Sequence, residues 1–233
     1  MNIIAHIYTD FPTKFGIPRQ SGMVPELKAQ IVFEPQYRNA DALRGLDEFS
    51  HIWLIWKFSE TERSEWSPTV RPPRLGGNKR LGVFATRSPF RPNPIGLSCV
   101  QLDSIERDTP NGAILHVSGA DLMNGTPIYD IKPYIPYTDC RPDAKSGFVD
   151  DRDASHYFST MTVDCPENLL QNIPPEKREA LLAVLTNNPQ PAYQNNPTRV
   201  YGLPFAGFDV RFTIESNVLK VIEITSTNCT PAF

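Results

Sequence analysis

No stretch of the 233 residues stays apolar for long: the longest unbroken run, Ala180 to Leu185, falls far short of the ~18 residues that span a bilayer. A helical membrane span is excluded. Thiols and imidazoles are also few, four of each, and they are scattered: Cys99, Cys140, Cys165 and Cys229, with His6, His51, His116 and His156. Without a Cys-x-x-Cys pair or a His-Glu-x-x-His, the chain has no zinc or redox motif, and the expectation is ordinary reduced thiols and no metal. Gly-x-Gly-x-x-Gly, a Walker-type loop and Gly-x-Ser-x-Gly are missing as well, which argues against a doubly wound nucleotide fold and against a nucleophile-elbow hydrolase. The opening MNIIAHIYTDFP carries no basic leader and no apolar segment of signal-peptide length, so a cytoplasmic protein is expected.

Proline is what the chain has in excess, 23 residues or about twice the usual ~5%. Ordered loops must therefore form much of the molecule, and helices before residue 165 must be short, as over Ala40 to Arg44. Between turn signals run short segments rich in β-branched and aromatic residues: Ile3 to Tyr8, Lys28 to Phe33, His51 to Phe58, Leu81 to Thr86, Leu97 to Ile105, Ala113 to Ser118 and Pro127 to Ile131. Their spacing predicts an antiparallel sheet or barrel. Leu97, Cys99 and Ile105 share a parity with Gln101 and Asp103, so that segment needs a bulge or burial on both sides. His51, Trp53 and Phe58 lie in an apolar run, where a core histidine is the commoner outcome.

Pro136 to His156 is polar and aperiodic and reads as a surface loop. A strand over Phe158 to Asp164 and helices over Pro166 to Asn172 and Pro175 to Thr186 should follow, the second helix opened by its proline and Glu176. Gly207 to Ser216 and Val218 to Thr225 alternate on either side of Ser216-Asn217, the mark of a hairpin. The expected fold is thus mainly β, with a small α+β unit at the C-terminal end.

The net charge of −3 conceals a basic segment: from Arg63 to Gly96 seven bases (Arg63, Arg71, Arg74, Lys79, Arg80, Arg87, Arg91) meet a single acid, Glu65. Such a run is either a solvated loop or a phosphate-binding surface. Six prolines interleaved with those bases stiffen the segment, which favours recognition of a flexible polyanion. Three stretches concentrate constrained backbone and exposed polar chemistry: Ile17 to Met23, Ala85 to Ser98 and Gly119 to Tyr134. In the last, Asp130, Lys132 and Tyr134 recur at a two-residue period and share one face if extended. That trio is either a site for orienting and deprotonating a substrate or a surface ion pair beside a tyrosine.

PRQSG (Pro18 to Gly22), DALRGLDEFSHIWLIWKF (Asp41 to Phe58), PTVRPPRLGGNKRLGVFATRSPFRPNPIGLS (Pro68 to Ser98) and DLMNGTPIYDIKPY (Asp121 to Tyr134) together resemble the TsaA/YaeB-like family. NPQPAY (Asn188 to Tyr193) and GFDVRF (Gly207 to Phe212) extend the resemblance over nearly the whole chain. The resemblance implies a small β-barrel over residues 1–157 that binds S-adenosylmethionine, a small domain over 158–233 that assists tRNA, and a homodimer with the ligand site near the subunit interface. It further implies methylation of N6 of threonylcarbamoyladenosine at position 37, in the anticodon loop of tRNA. Carried over by position, Arg19, Gln20 and Ser21, then Ser59 and Glu60, then Arg87, then Cys99, and then Pro127, Ile128, Tyr129 and Asp130 are the cofactor contacts. Asp130, with Lys132 and Tyr134 supporting it, is the expected catalytic group. Arg71, Arg74, Lys79, Arg80, Arg199 and Arg211 are the expected tRNA-backbone contacts. Two other readings remain: the same barrel acting on a different adenosine derivative or small molecule, and an S-adenosylmethionine-holding nucleic-acid module that transfers nothing.

Overall fold

The computed structural model describes residues 1–60, 66–72, 79–150, 160–190 and 198–227. Arg63, Glu65, Arg74, His156, Cys229 and the first residues of the strand expected from Phe158 lie outside them. Six strands close an antiparallel barrel: β1 (Ala5–Tyr8), β2 (Lys28–Phe33), β3 (His51–Lys57), β6 (Ile95–Glu106), β7 (Ile114–Ser118) and β8 (Thr126–Pro133), in the order β1-β2-β7-β6-β3-β8. Closure comes from β1 pairing with β8, Ala5 opposite Ile128 and Ile7 opposite Thr126. A ring of this kind leaves no barrel strand as an open edge.

Alternation decides which side chains fill the ring. In β3, Ile52, Leu54 and Trp56 point inward and are buried, while His51, Trp53 and Ile55 face out. His51 is therefore no core histidine; it lies half-buried on the outer face, with Nδ1 2.9 Å from Ser50 Oγ. In β6, Ser98, Val100 and Leu102 are inward, and the register against β7 slips between Leu102 and Ser104, the bulge that its mixed parity requires. Inside, Ile7, Ile31, Ile52, Leu54, Leu115, Val117 and Ile128 make an aliphatic core.

The segment Leu81 to Thr86 is not one strand. Only β5 (Leu81–Gly82) pairs, with β4 (Thr69–Val70), and the chain then coils into a tight turn at Val83–Ala85. Hydroxyls compete with the ladder here: Thr86 Oγ1 donates to Val83 O, Ser88 N donates to Thr86 Oγ1 and Phe90 N to Ser88 Oγ. The loop that carries Arg87 is shaped by these local bonds. The polar stretch from Pro136 opens with a single helical turn, α1 (Pro136–Asp139).

The second unit is a four-stranded sheet, β10-β11-β12-β9, made of β9 (Thr162–Asp164), β10 (Tyr201–Phe205), β11 (Phe208–Glu215) and β12 (Val218–Ser226). Ser216 and Asn217, at φ 46° and 67°, make the tight turn between β11 and β12. After the short α2 (Glu167–Leu170), α3 (Pro175–Thr186) lays Ala180, Leu181, Val184 and Leu185 into the second core. That core is completed from the other end of the chain. Phe11, Val24 and Leu27, in the connector from β1 to β2, are buried in it, and Phe11 meets Phe205 edge-on at 5.5 Å. Asp10 ties the connector down twice, accepting from Lys177 Nζ at 2.7 Å and, through its carbonyl, from Ala206 N at 2.9 Å. The segment that bears Arg19, Gln20 and Ser21 thus hangs between two cores.

Candidate functional site

Below Gln101 the strand β6 has no β7 partner, because β7 ends at Ser118. The connector fills this seam. Ser21 Oγ accepts from the backbone N of Cys99 at 3.1 Å, Gly22 N donates to Gly119 O at 2.8 Å and Gly119 N donates to Leu27 O at 2.9 Å. Gly22, at φ +77°, has open space where a side chain would start, and Gly119 approaches it so closely that an added Cβ would lie 3.2 Å from Gly22 Cα. On the outer side Arg87 Nη1 donates to Gln20 Oε1, so the 19–22 segment and the Arg87 loop hold each other.

Beneath this seam lies a polar chain that sequence reading passed over. Trp56 Nε1 donates to Ser98 Oγ at 3.0 Å, and Ser98 Oγ donates to Asp121 Oδ1 at 2.6 Å. Burial pushes the Asp121 carboxyl above its ordinary range, opposed by the Ser98 hydrogen bond, by its own and the Ser21 backbone amides, and by the charge of Arg87. A signal existed in the sequence: Asp121 stands between Ala120 and Leu122, both buried, in a run that is otherwise apolar.

The strand β8 supplies the other wall. Ile55 is opposite Asp130 but Trp56 is opposite Ile128, so Tyr129 is an extra residue, a bulge that turns Asp130 to the outer face. Ile128 itself is fully buried in the barrel, and its carbonyl accepts from Ile4 N at 2.8 Å. It holds its neighbours in place. Lys132 Nζ lies 2.9 Å from Asp130 Oδ2, and Asp130 Oδ1 accepts from Ile131 N at 2.9 Å. Across the sheet run two rows of outward side chains, Asp130–Ile55–Leu97 and Lys132–Trp53–Cys99.

Tyr134 closes this face further along, against Trp53 at 5.7 Å and His51 at 6.3 Å between ring centroids. Partial desolvation, then the neighbouring Cys140, Cys99 and Asp139, raise its phenol, while burial and Asp139 raise the Cys99 thiol. Asp139 is held below the carboxylate range by Ile135 N and by Trp53 Nε1, which donates at 2.9 Å. Ser59 and Glu60 are exposed in the turn after β3, where Phe58 N donates to Pro94 O at 2.9 Å, and Pro127 pairs with His6 beside the start of β8. The three stretches singled out in the sequence therefore converge on β3, β6 and β8: the 19–22 segment and Arg87 at the seam, Asp130 with Lys132 two strands away. Among the described residues no cluster of His, Cys, Asp and Glu could hold a metal ion.

A closed antiparallel barrel joined to a small α+β unit, whose core anchors the segment laid over the barrel seam, is an architecture shared with a solved tRNA methyltransferase. The crystal structure of TrmO from Pseudomonas aeruginosa has this architecture, with a TM-score of 0.76 at 30% identity over 96% of this chain and 97% of that one. The pattern of the tRNA-methyltransferase O N-terminal domain matches residues 6–140, and that of the TrmO C-terminal domain matches residues 157–227. The chain belongs to the tRNA-methyltransferase O family. The tRNA (adenine(37)-N6)-methyltransferase of Escherichia coli K12 is 39% identical to it over 95% of each chain. The enzyme of that name from Eikenella corrodens is 44% identical over 74% of this chain and 95% of its own.

Proposed function

We propose that this protein transfers a methyl group from S-adenosylmethionine to N6 of threonylcarbamoyladenosine at position 37 of tRNA, as a cytoplasmic homodimer. The observation that carries the reading is the convergence of the anchored 19–22 segment, Arg87 and the bulge-turned Asp130 on one flank of the barrel, in a chain of this family. The donor set suits the cofactor. Arg19 and Arg87 offer cations and Gln20 an amide to its carboxylate, and the open cradle at Gly22 admits a ligand close to backbone. Ser59, Glu60, Cys99 and, in the bulged stretch held by Ile128, Pro127, Tyr129 and Asp130 complete the contact set. The cofactor supplies an electrophilic methyl on a cationic sulfur, so the protein has mainly to position the acceptor.

Asp130 orients the N6 proton and receives it as the new N–C bond forms. Lys132 fixes the direction of that carboxylate, and Tyr134, packed on Trp53, walls the face beyond it. The threonylcarbamoyl substituent makes N6–H more acidic and adds a carboxylate, which an arginine of the basic loop reads through paired N–H donors. Residues 1–157 hold the cofactor; residues 158–233 assist tRNA, with Arg199 and Arg211 toward its backbone alongside Arg71, Arg74, Lys79 and Arg80. The outward Leu97, Ile55 and Trp53 give β3 and β6 an apolar surface suited to a second copy.

The test is nucleoside mass spectrometry after incubation of protein and S-adenosylmethionine with tRNA that carries threonylcarbamoyladenosine, beside the same tRNA without it. A gain of one methyl in the modified sample alone is expected; gain in both would make the protein a broader adenosine methyltransferase. Asp130→Ala should lower kcat about 10²- to 10⁴-fold with cofactor affinity kept. Equal loss of both would turn Asp130 into a binding residue.

A further inference from the structure

Two large aromatic side chains stand in the open on the basic loop, and neither takes part in the site described above. Phe84 is 72% exposed and Trp66 is 50% exposed, yet their rings lie 6.1 Å apart with planes tilted by only 31°. Nothing about Phe84 is floppy in origin. Its neighbour Val83 is buried to 1% exposure and anchors the turn by donating from its amide to Pro68 O at 2.9 Å, so the turn drives Phe84 outward. The guanidinium of Arg91 lies 5.8 Å from the Phe84 centroid and is fixed from below, donating to Thr86 O at 2.6 Å and Val83 O at 3.3 Å.

Arg71 follows β4, and Lys79 and Arg80 precede β5, of the same small ribbon, where Arg80 is held by its Nε donating to Thr69 Oγ1 at 2.8 Å. Among the described residues no carboxylate pairs with Arg71, Lys79, Arg80 or Arg91. An apolar partner protein would meet uncompensated cations around a small aromatic patch. A single-stranded nucleic acid meets what it needs: π faces for its bases and cations for its phosphates. Three residues after Phe84, Arg87 reaches Gln20, so the patch adjoins the cofactor-contact segment.

We propose that Trp66, Phe84 and Arg91 form a stacking platform that receives an unpaired base flanking the target nucleotide, holding the loop splayed while N6 enters the site. This rests on the tRNA reading given above and adds a base-stacking subsite to it. Base–aromatic stacking tolerates any base, so the platform contributes affinity and orientation without selecting a sequence.

The experiment uses the full chain and an anticodon stem-loop RNA with 2-aminopurine in place of the nucleotide 3′ of position 37, and a second with it on the 5′ side. Stacking on the platform should quench the fluorescence of one of them on binding. Phe84→Leu should abolish that quench and weaken RNA binding about 10- to 100-fold, and Phe84→Trp should restore both. Cofactor affinity and molecular mass should stay as in the parent protein. Unchanged binding and quenching in Phe84→Leu would overturn the platform. So would a change in mass accompanying the loss, which would assign Phe84 to a contact between copies. The quench reports binding without methyl transfer. A parent protein that quenches but methylates nothing therefore removes the function proposed above and leaves the platform standing, whereas methylation without any quench removes the platform alone.

Discussion

The two cores of this molecule are built on different terms. The barrel fills itself: every residue of its buried cluster comes from the strands of the ring and the loops that join them. The second core does not, since Phe11, Val24 and Leu27 cross from the far end of the chain to complete it. The lesson is functional. Arg19, Gln20 and Ser21 lie between two of those borrowed anchors, so the small C-terminal unit sets the position of a segment that meets the barrel seam. The unit proposed to assist tRNA is thus also the anchor of the segment proposed to contact the cofactor.

The largest expected effect separates the cores directly. Phe205→Ala removes a fully buried ring that meets Phe11, and Leu115→Ala removes a fully buried side chain of the barrel. Each should cost about 2–5 kcal/mol of stability, measured by denaturant unfolding. In folded protein only Phe205→Ala should raise the KM for S-adenosylmethionine; an equal rise in both variants would break the comparison. Gly16→Ala probes the same link more gently. A Cβ there would sit 2.2 Å from Leu203 Cδ1 on a backbone at φ +83°, and a loss of about 1–3 kcal/mol with weakened cofactor binding by calorimetry is the expected result. Cofactor binding that survives a measured loss of stability would separate the 19–22 segment from the second core.

The smallest effect concerns the seam. Because burial raises the Asp121 carboxyl, the folded state holds its proton to a higher pH than the unfolded chain does. Its contribution is therefore best below the unfolded pKa of ~3.9 and is lost as pH rises through the folded value. Asp121→Asn should match the parent at acid pH and gain on it as pH rises, read as the difference between their melting temperatures from pH 4 upward. A constant difference would show that Asp121 does not titrate differently on folding.

How far the sequence reached depends on whether a feature is local. The hairpin at Ser216-Asn217, α3 with its opening proline, and the strands over Lys28 to Phe33 and His51 to Lys57 were legible because turn chemistry and alternation act within a few residues. The strand Tyr201–Phe205 was not, since Gly202 and Pro204 occupy alternate positions and hide its pattern. The outward turn of His51 and Trp53 escaped too: an apolar strand looks alike whichever side faces the core. The stretches that bear the 19–22 segment, Arg87 and Asp130 stood out by their constrained backbone and exposed polar chemistry, and motif resemblance supplied their expected roles, while Asp121, Trp66 and Phe84 were passed over, Phe84 as part of an expected strand.

By itself the sequence determined that the chain is mainly β with a small α+β end, that it carries no glycine-rich nucleotide motif, and that an excess of bases over acids is concentrated in one proline-rich segment. Those are matters of composition and of bonds between near neighbours. Only the tertiary structure decided that β1 closes the ring on β8, that a bulge at Tyr129 aims Asp130 outward, and that the half-buried Asp121 carboxylate accepts from Ser98 beside the seam. It also decided that Phe11, Val24 and Leu27 belong to a core whose other buried members begin at Met161. Each joins residues tens to hundreds of positions apart, and such pairings are settled by which surfaces can be buried together, a property of the folded chain that no short stretch of it contains.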